Sequence, residues 1–133
     1  AAAPAASGAG RHILVVDDEA LVLETLCATL QGMGYRTSAA ADGTEALIRA
    51  AEERAGLHAL VTDIHMSGVD GLKLIRTLRH MLPRLPIVVV SGRVDTAQQR
   101  ELAQAGVAQI ILKPFTEEQL AAALEGALAG PQG

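Results

Sequence analysis

Aromatic side chains are almost missing from this chain. Tyr35 and Phe115 are the only two among 133 residues, and there is no tryptophan. A core organised around stacked rings is therefore excluded. The core must be assembled from Leu, Val, Ile and Ala, and half of all residues are hydrophobic, which suits a packed globule rather than disorder. One cysteine, Cys27, excludes an internal disulfide; it lies in a helical apolar pattern and reads as a buried structural thiol. No Cys/His spacing for zinc is present. Lys and Arg do not cluster and the net charge is −4, which argues against a nucleic-acid surface. "RTLRHMLPR", residues 76–84, reads as a solvated basic face. No apolar run reaches the roughly 18–20 residues that a bilayer span requires. The Ala-rich start lacks a charged segment followed by an apolar one, so no secretory signal is read there. The chain begins with Ala rather than Met, as a piece of something longer would. Its length suits one domain with a single core.

What is present is a regular alternation. Residues 1–11, "AAAPAASGAGR", are small and nearly uncharged and read as a flexible linker or cloning remnant. "GAG" there precedes the first strand, so it is no dinucleotide-binding loop. His12 to Val16 is a strand candidate. Residues 19–33 have helical spacing, with Val22, Leu26, Thr29, Leu30 and Met33 inward. Tyr35 to Ala40 is a short strand with a weak signal. A helix follows from about Thr44, with Leu47, Ala50 and Ala51 inward. "LHALVTD" is the third strand, and Gly71 to His80 is a helix with Leu74, Ile75 and Leu78 buried. "PIVVVS" is a buried strand, and residues 95–105 form a polar helix capped by Asp95 or Thr96. "AQIILK" is the fifth strand. Glu117 to Leu128 is the last helix, capped by Thr116, with Leu120, Leu124 and Leu128 one turn apart. Residues 130–133 are a tail. Strands apolar on both faces and alternating with helices predict a doubly wound α/β domain with a parallel sheet.

Each strong strand ends in a polar residue: Asp17 and Asp18 after the first, Asp63 after the third, Ser91 at the fourth, Lys113 after the fifth. In open parallel sheets ligands bind outside the carboxyl ends of the strands, so these side chains converge at one edge. Taken singly, each has a plainer reading. Asp17 and Asp18 could cap the next helix, Asp63 and Ser91 could serve turns, and Lys113 could be solvated. His12, His58 and His80 read as packing, edge or helix-end residues. Together the strand-end residues make a pocket. Three close carboxylates call for a cation, and all-oxygen ligands suit Mg²⁺. One Asp could then attack phosphorus and form an acyl phosphate. Ser91 and Lys113 could each hold a phosphoryl oxygen.

"ILVVDDE", "VTDIHMSGVDG", "VVVSGR" and "IILKPFT" resemble the receiver domains of bacterial two-component response regulators. The resemblance covers residues 12–129 and implies a five-stranded (βα)5 flavodoxin-like fold with strand order 2-1-3-4-5. It implies that Asp63 is the phospho-acceptor, receiving phosphate from a phosphohistidine on a histidine kinase or histidine phosphotransfer protein. Asp17 and Asp18 would be the acid pair for Mg²⁺, with Asp18 the direct ligand. Asp63 itself and the backbone carbonyl of His65 would join them. Ser91 would move toward the phosphoryl group, Lys113 would hold it, and Pro114 would follow in cis. Such a domain catalyses its own phosphorylation and dephosphorylation rather than acting as an enzyme on other molecules. It would switch a surface around residues 92–120.

The sequence departs from the family in three places. Met66-Ser67-Gly68 replaces Met-Pro-Gly. Gly92 follows Ser91 where Ala is usual. Ile110 stands where an aromatic normally rotates inward, which puts the usual aromatic switching in doubt. His65 and Arg93 occupy variable positions that tune phosphate lifetime. The favoured setting is the C-terminal receiver of a hybrid histidine kinase, cytoplasmic or on the cytoplasmic part of a membrane-anchored sensor. Direct contact with nucleic acid or membrane is not expected, and a weak homodimer is left open. A stand-alone regulator is one alternative, and a receiver-like module that is never phosphorylated is another. A haloacid-dehalogenase-type phosphatase would need Asp-x-Asp after the first strand and a late acidic pair, and the sequence has neither.

Overall fold

The computed structural model describes residues 8–66 and 69–129. Seven strands and five helices are found among the described residues. They are β1 (His12–Val16), α1 (Ala20–Gly32), β2 (Arg36–Ala40), α2 (Gly43–Glu53) and β3 (Leu57–Thr62). The short strands β4 (His65–Met66) and β5 (Val69–Asp70) precede α3 (Gly71–Met81), β6 (Ile87–Ser91), α4 (Thr96–Gln104), β7 (Gln109–Leu112) and α5 (Glu117–Ala129). Five strands form one parallel sheet in the order β2-β1-β3-β6-β7. Counting only these five, this is the expected order 2-1-3-4-5. The antiparallel hairpin β4–β5 is an extra element with no strand signal in its sequence.

The strands are buried on both faces, and their period of two sorts the core into two layers. Leu14, Val16, Leu60, Ile87 and Val89 face α2, α3 and α4, meeting Ala46, Ala50, Leu74, Ile75, Leu78 and Leu102. Ile13, Val15, Val61, Val88, Val90 and Ile111 face α1 and α5, meeting Leu26, Leu30, Leu120 and Leu124. Each fully buried Leu, Ile or Val contributes about 1.5–3 kcal/mol, so these two layers carry the fold. Almost no ring is needed: Tyr35 and Phe115 both lie on the α1/α5 side.

The helix phases hold with one correction. On α2 the expected inward residue Ala51 is exposed, and Ala46 is buried instead with Ala50, one turn on. Ala at either place satisfies helical spacing, and only the lie of α2 on the sheet decides between them. On α5 the buried stripe is Leu120, Ala123, Leu124 and Ala127, with Leu128 at its margin.

The caps follow their chemistry. Asp95 accepts from Gln98 N while Gln98 reaches back to the Asp95 N–H, a full capping box on α4. Thr116 and Gln119 do the same for α5. The last four residues of the segment read as a leader are tied down. Gly8 N donates to Met33 O, Gly10 N to Gly34 O, and Arg36 N to Arg11 O.

Gly71 and Gly106 are required by geometry. A Cβ on Gly71 would lie 2.4 Å from the Ile64 Cα, so glycine lets the start of α3 press against the residue after Asp63. Gly106 has φ +82° and closes α4.

Candidate functional site

Asp17 and Asp63 leave neighbouring strands at the same edge of the sheet. Asp17 N continues the ladder to Ala40 O, and Asp63 N continues it to Val16 O. Both residues are buried, with 1% and 5% exposure. Each carboxylate uses one oxygen locally. Asp17 Oδ1 accepts from Glu19 N at 2.9 Å, and Asp63 Oδ1 accepts from His65 N at 2.8 Å. The second oxygen of each meets one ammonium: Lys113 Nζ is 3.2 Å from Asp17 Oδ2 and 3.1 Å from Asp63 Oδ2.

Lys113 comes from the far edge of the sheet. It follows β7, its N–H donates to Ser91 O at 2.8 Å, and the next peptide, Lys113–Pro114, is cis, as the resemblance implies. Its long side chain crosses past β6 to reach both acids. Burial pushes the Lys113 ammonium down, but the hydrogen bond and charge of Asp63, and then those of Asp17, outweigh it and hold its pKa up.

Charge at this edge does not balance. Asp17 and Asp63 bring two negative charges against the one positive charge of Lys113, and Asp18, half-buried, follows Asp17 in the chain. The excess of carboxylate over ammonium and a donor set of oxygen atoms only suit a hard cation such as Mg²⁺. Among the described residues no three acid, His or Cys side chains form a ready-made cage. Mg²⁺ binds through one or two carboxylates and keeps waters and substrate oxygens as its other ligands. The residues that could hold it are Asp17, Asp18 and Asp63, with the His65 carbonyl.

Asp63 and Lys113 open into a cleft of about 600 Å³, also lined by Glu19, His65, Gly92 and Arg93. Glu19 is a site residue that the strand-end argument passed over. Its signal was in plain view as the third consecutive acid. Ser91 is fully buried and does not line the cleft; its Oγ donates to Arg93 O at 3.0 Å. The His65 ring bonds the same carbonyl, Nε2 to Arg93 O at 2.8 Å. Spacing gave no sign of that link. Ile110 lies on β7 beside Val89 and is partly exposed, as is Leu112. Both lie along an open groove between β7 and α5. Ser67 and Gly68, where the family usually has Pro-Gly, lie outside the described residues.

A doubly wound parallel sheet that brings two buried carboxylates and one shared ammonium to its carboxyl edge is a flavodoxin-like domain with an acidic, lysine-bridged site. Residues 13–125 match the family model of the response regulator receiver domain, and the chain belongs to that family. Response regulator MprA of Mycobacterium avium is 39% identical over 117 residues, which are 88% of this chain and 50% of that protein. MprA of Mycobacterium tuberculosis is equally similar. The chain thus spans about half the length of the curated relatives it matches. Chemotaxis protein CheY4 of Vibrio cholerae superposes with a TM-score of 0.84 at 28% identity, covering 89% of this chain and 98% of that one. A response regulator from Burkholderia pseudomallei, solved with a phosphorylated aspartic acid, calcium ion and citrate, has a TM-score of 0.79 at 30% identity. It covers 86% of this chain and 66% of its own. The domain is therefore a module of two-component, phosphorelay signalling. Among the described residues no helix is long and apolar enough to cross a membrane.

Proposed function

We propose that Asp63 accepts a phosphoryl group from the phosphohistidine of a histidine kinase or histidine phosphotransfer protein, with Mg²⁺ held by Asp17, Asp18, Asp63 and the His65 carbonyl. The observation that carries this reading is the Asp63 carboxylate. It is buried, held at one oxygen by His65 N–H, bridged at the other by Lys113, and open to the cleft. A carboxylate oxygen attacks phosphorus, an O–P bond forms, the P–N bond to the donor imidazole breaks, and its electron pair stays on that nitrogen. The metal, when bound, supplies charge neutralisation for the transferring group. Lys113 exchanges its contact with Asp63 Oδ2 for a phosphoryl oxygen, and Asp17 keeps the ammonium in place during the exchange. Ser91 turns its hydroxyl from Arg93 O to another phosphoryl oxygen. Water attacking the same acyl phosphate breaks the O–P bond, releases inorganic phosphate and restores the Asp63 carboxylate, so the domain also governs loss of the group.

The phosphorylated aspartic acid and bound cation of the Burkholderia relative support this assignment. The change would then spread through residues 92–120. With Ile110 in the aromatic position, it passes through the Ser91–Arg93 loop rather than through a rotating ring.

The setting of the domain is a second matter. A hybrid-kinase receiver is the reading from sequence, whereas the curated relatives are named response regulators and are about twice as long. That favours a receiver joined to a further domain in a response regulator, and the reading frame flanking the gene decides it.

Phosphoryl loading with acetyl phosphate or phosphoramidate, followed by intact-protein mass, tests the acceptor. One phosphoryl adduct is expected in wild type with Mg²⁺ and none in Asp63→Asn. An undiminished adduct in the variant would refute Asp63, and beryllofluoride binding would separate a short-lived phosphate from an absent one.

A further inference from the structure

The Arg93 carbonyl takes two hydrogen bonds. Ser91 Oγ donates to it at 3.0 Å and His65 Nε2 at 2.8 Å. A carbonyl can only accept, so His65 presents its Nε2–H there. Residue 93 also grips Ser91 from the other side, Arg93 N donating to Ser91 Oγ at 3.4 Å. The backbone of Arg93 therefore wraps the Ser91 hydroxyl, and His65 fixes that backbone from across the cleft. His65 leaves the acceptor loop two residues after Asp63; Arg93 leaves β6 two residues after Ser91. The bond thus joins the loop that carries the phosphorylation chemistry to the loop that must respond to it.

We propose that the His65 side chain is a positioning residue, a latch that holds the Ser91 hydroxyl on Arg93 O and away from the acceptor. The inference rests on the receiver reading and extends it. Ser91 has one hydroxyl proton. While that proton is on Arg93 O it cannot reach an oxygen on Asp63. A contact made only in the retracted arrangement shifts the equilibrium toward that arrangement. It also weakens anything that needs Ser91 turned inward, by the factor with which it favours the retracted state. Removing one such hydrogen bond is therefore expected to strengthen binding of a phosphoryl mimic about two- to ten-fold.

The role belongs to the imidazole N–H, and that sets the test. Beryllofluoride would be titrated by NMR at saturating Mg²⁺ into wild type, His65→Phe and His65→Gln. All three keep the backbone carbonyl, Phe keeps a ring without a donor, and Gln keeps an N–H donor. The latch predicts that His65→Phe binds about two- to ten-fold more tightly than wild type, and that His65→Gln returns toward wild type. It also predicts faster amide exchange at Arg93 and Val94 in His65→Phe before any mimic is added. Unchanged or weaker binding in His65→Phe, with wild type binding normally, removes the latch and leaves the receiver reading standing. A parallel change in the affinity for Mg²⁺ alone would also overturn it, because the effect would then run through the metal. Failure of wild type to bind the mimic at all would bring down both readings together.

Discussion

Asp17 and Asp63 are held in the same way, though 46 positions separate them in the chain. Each accepts, at Oδ1, the N–H of the residue two places on, and each gives Oδ2 to Lys113 Nζ. The two local bonds hold each carboxylate at one oxygen, and the shared ammonium is the part common to both.

Removing that part should be felt more than removing either acid. Lys113→Met leaves two buried carboxylates side by side, and a loss of about 1–3 kcal/mol is expected in metal-free urea unfolding at neutral pH. Asp17→Asn leaves Lys113 paired with Asp63 and relieves a repulsion, so a change below about 1 kcal/mol is expected. Equal losses in the two variants would contradict the shared-ammonium account.

The same bridge sets the alkaline limb of stability. The Lys113 pKa is raised in the folded state above the ordinary 10.5. A raised pKa contributes stability that is fully present below the unfolded value and is lost as pH climbs through the folded one. Denaturation midpoints of wild type and Lys113→Met should therefore converge as pH rises beyond that point. Tyr35, whose phenol burial also pushes up, titrates alike in both proteins and drops out of the comparison.

On the acid side the sensitive group is His12. Its Nε2 lies 2.6 Å from Ser38 Oγ, whose hydroxyl donates to Glu53 Oε2 at 2.8 Å. Burial lowers its pKa below 6.5, and the charges of Arg36 and His58 add to this against the opposing pull of Glu53. The unfolded chain then binds a proton that the folded one resists, so stability falls as pH drops through about 6.5. Urea midpoints measured from pH 7.5 to 5 should decline in wild type and decline less in His12→Gln.

Arg79 is a structural clasp between α3 and α4. It donates to Ala105 O, Pro83 O, Leu85 O and Gly106 O at 2.7–3.1 Å, with no carboxylate within 4 Å among the described residues. Arg79→Met should cost about 2 kcal/mol, read by urea unfolding, because four carbonyls lose a charged donor together. Gly106→Ala should cost about 1–2 kcal/mol by the same measurement. Its backbone is left-handed, and its new methyl would meet Arg79 Nε at 3.2 Å.

Much of this protein was legible in the order of its residues. "ILVV", "ALVT" and "IVVV" are too short for helices and too apolar for a half-exposed sheet, so a sheet covered on both faces was the one architecture open to them. The strand-end acids, serine and lysine followed from that architecture. A parallel sheet aims the ends of its strands the same way, and Asp17, Asp63 and Lys113 meet there, whereas Ser91 stays buried and out of the cleft. Tertiary structure alone decided the rest. Whether α2 buries Ala46 or Ala51 depends on how that helix lies on the sheet, since the two alanines are alike in sequence. That Lys113 reaches across β6 to two acids, and that His65 and Ser91 meet on one carbonyl, depends on side-chain reach between loops far apart in the chain. Hydrophobic period encodes which face is buried, but it carries no term for distances across a strand edge, where the chemistry is set by a few ångströms of approach.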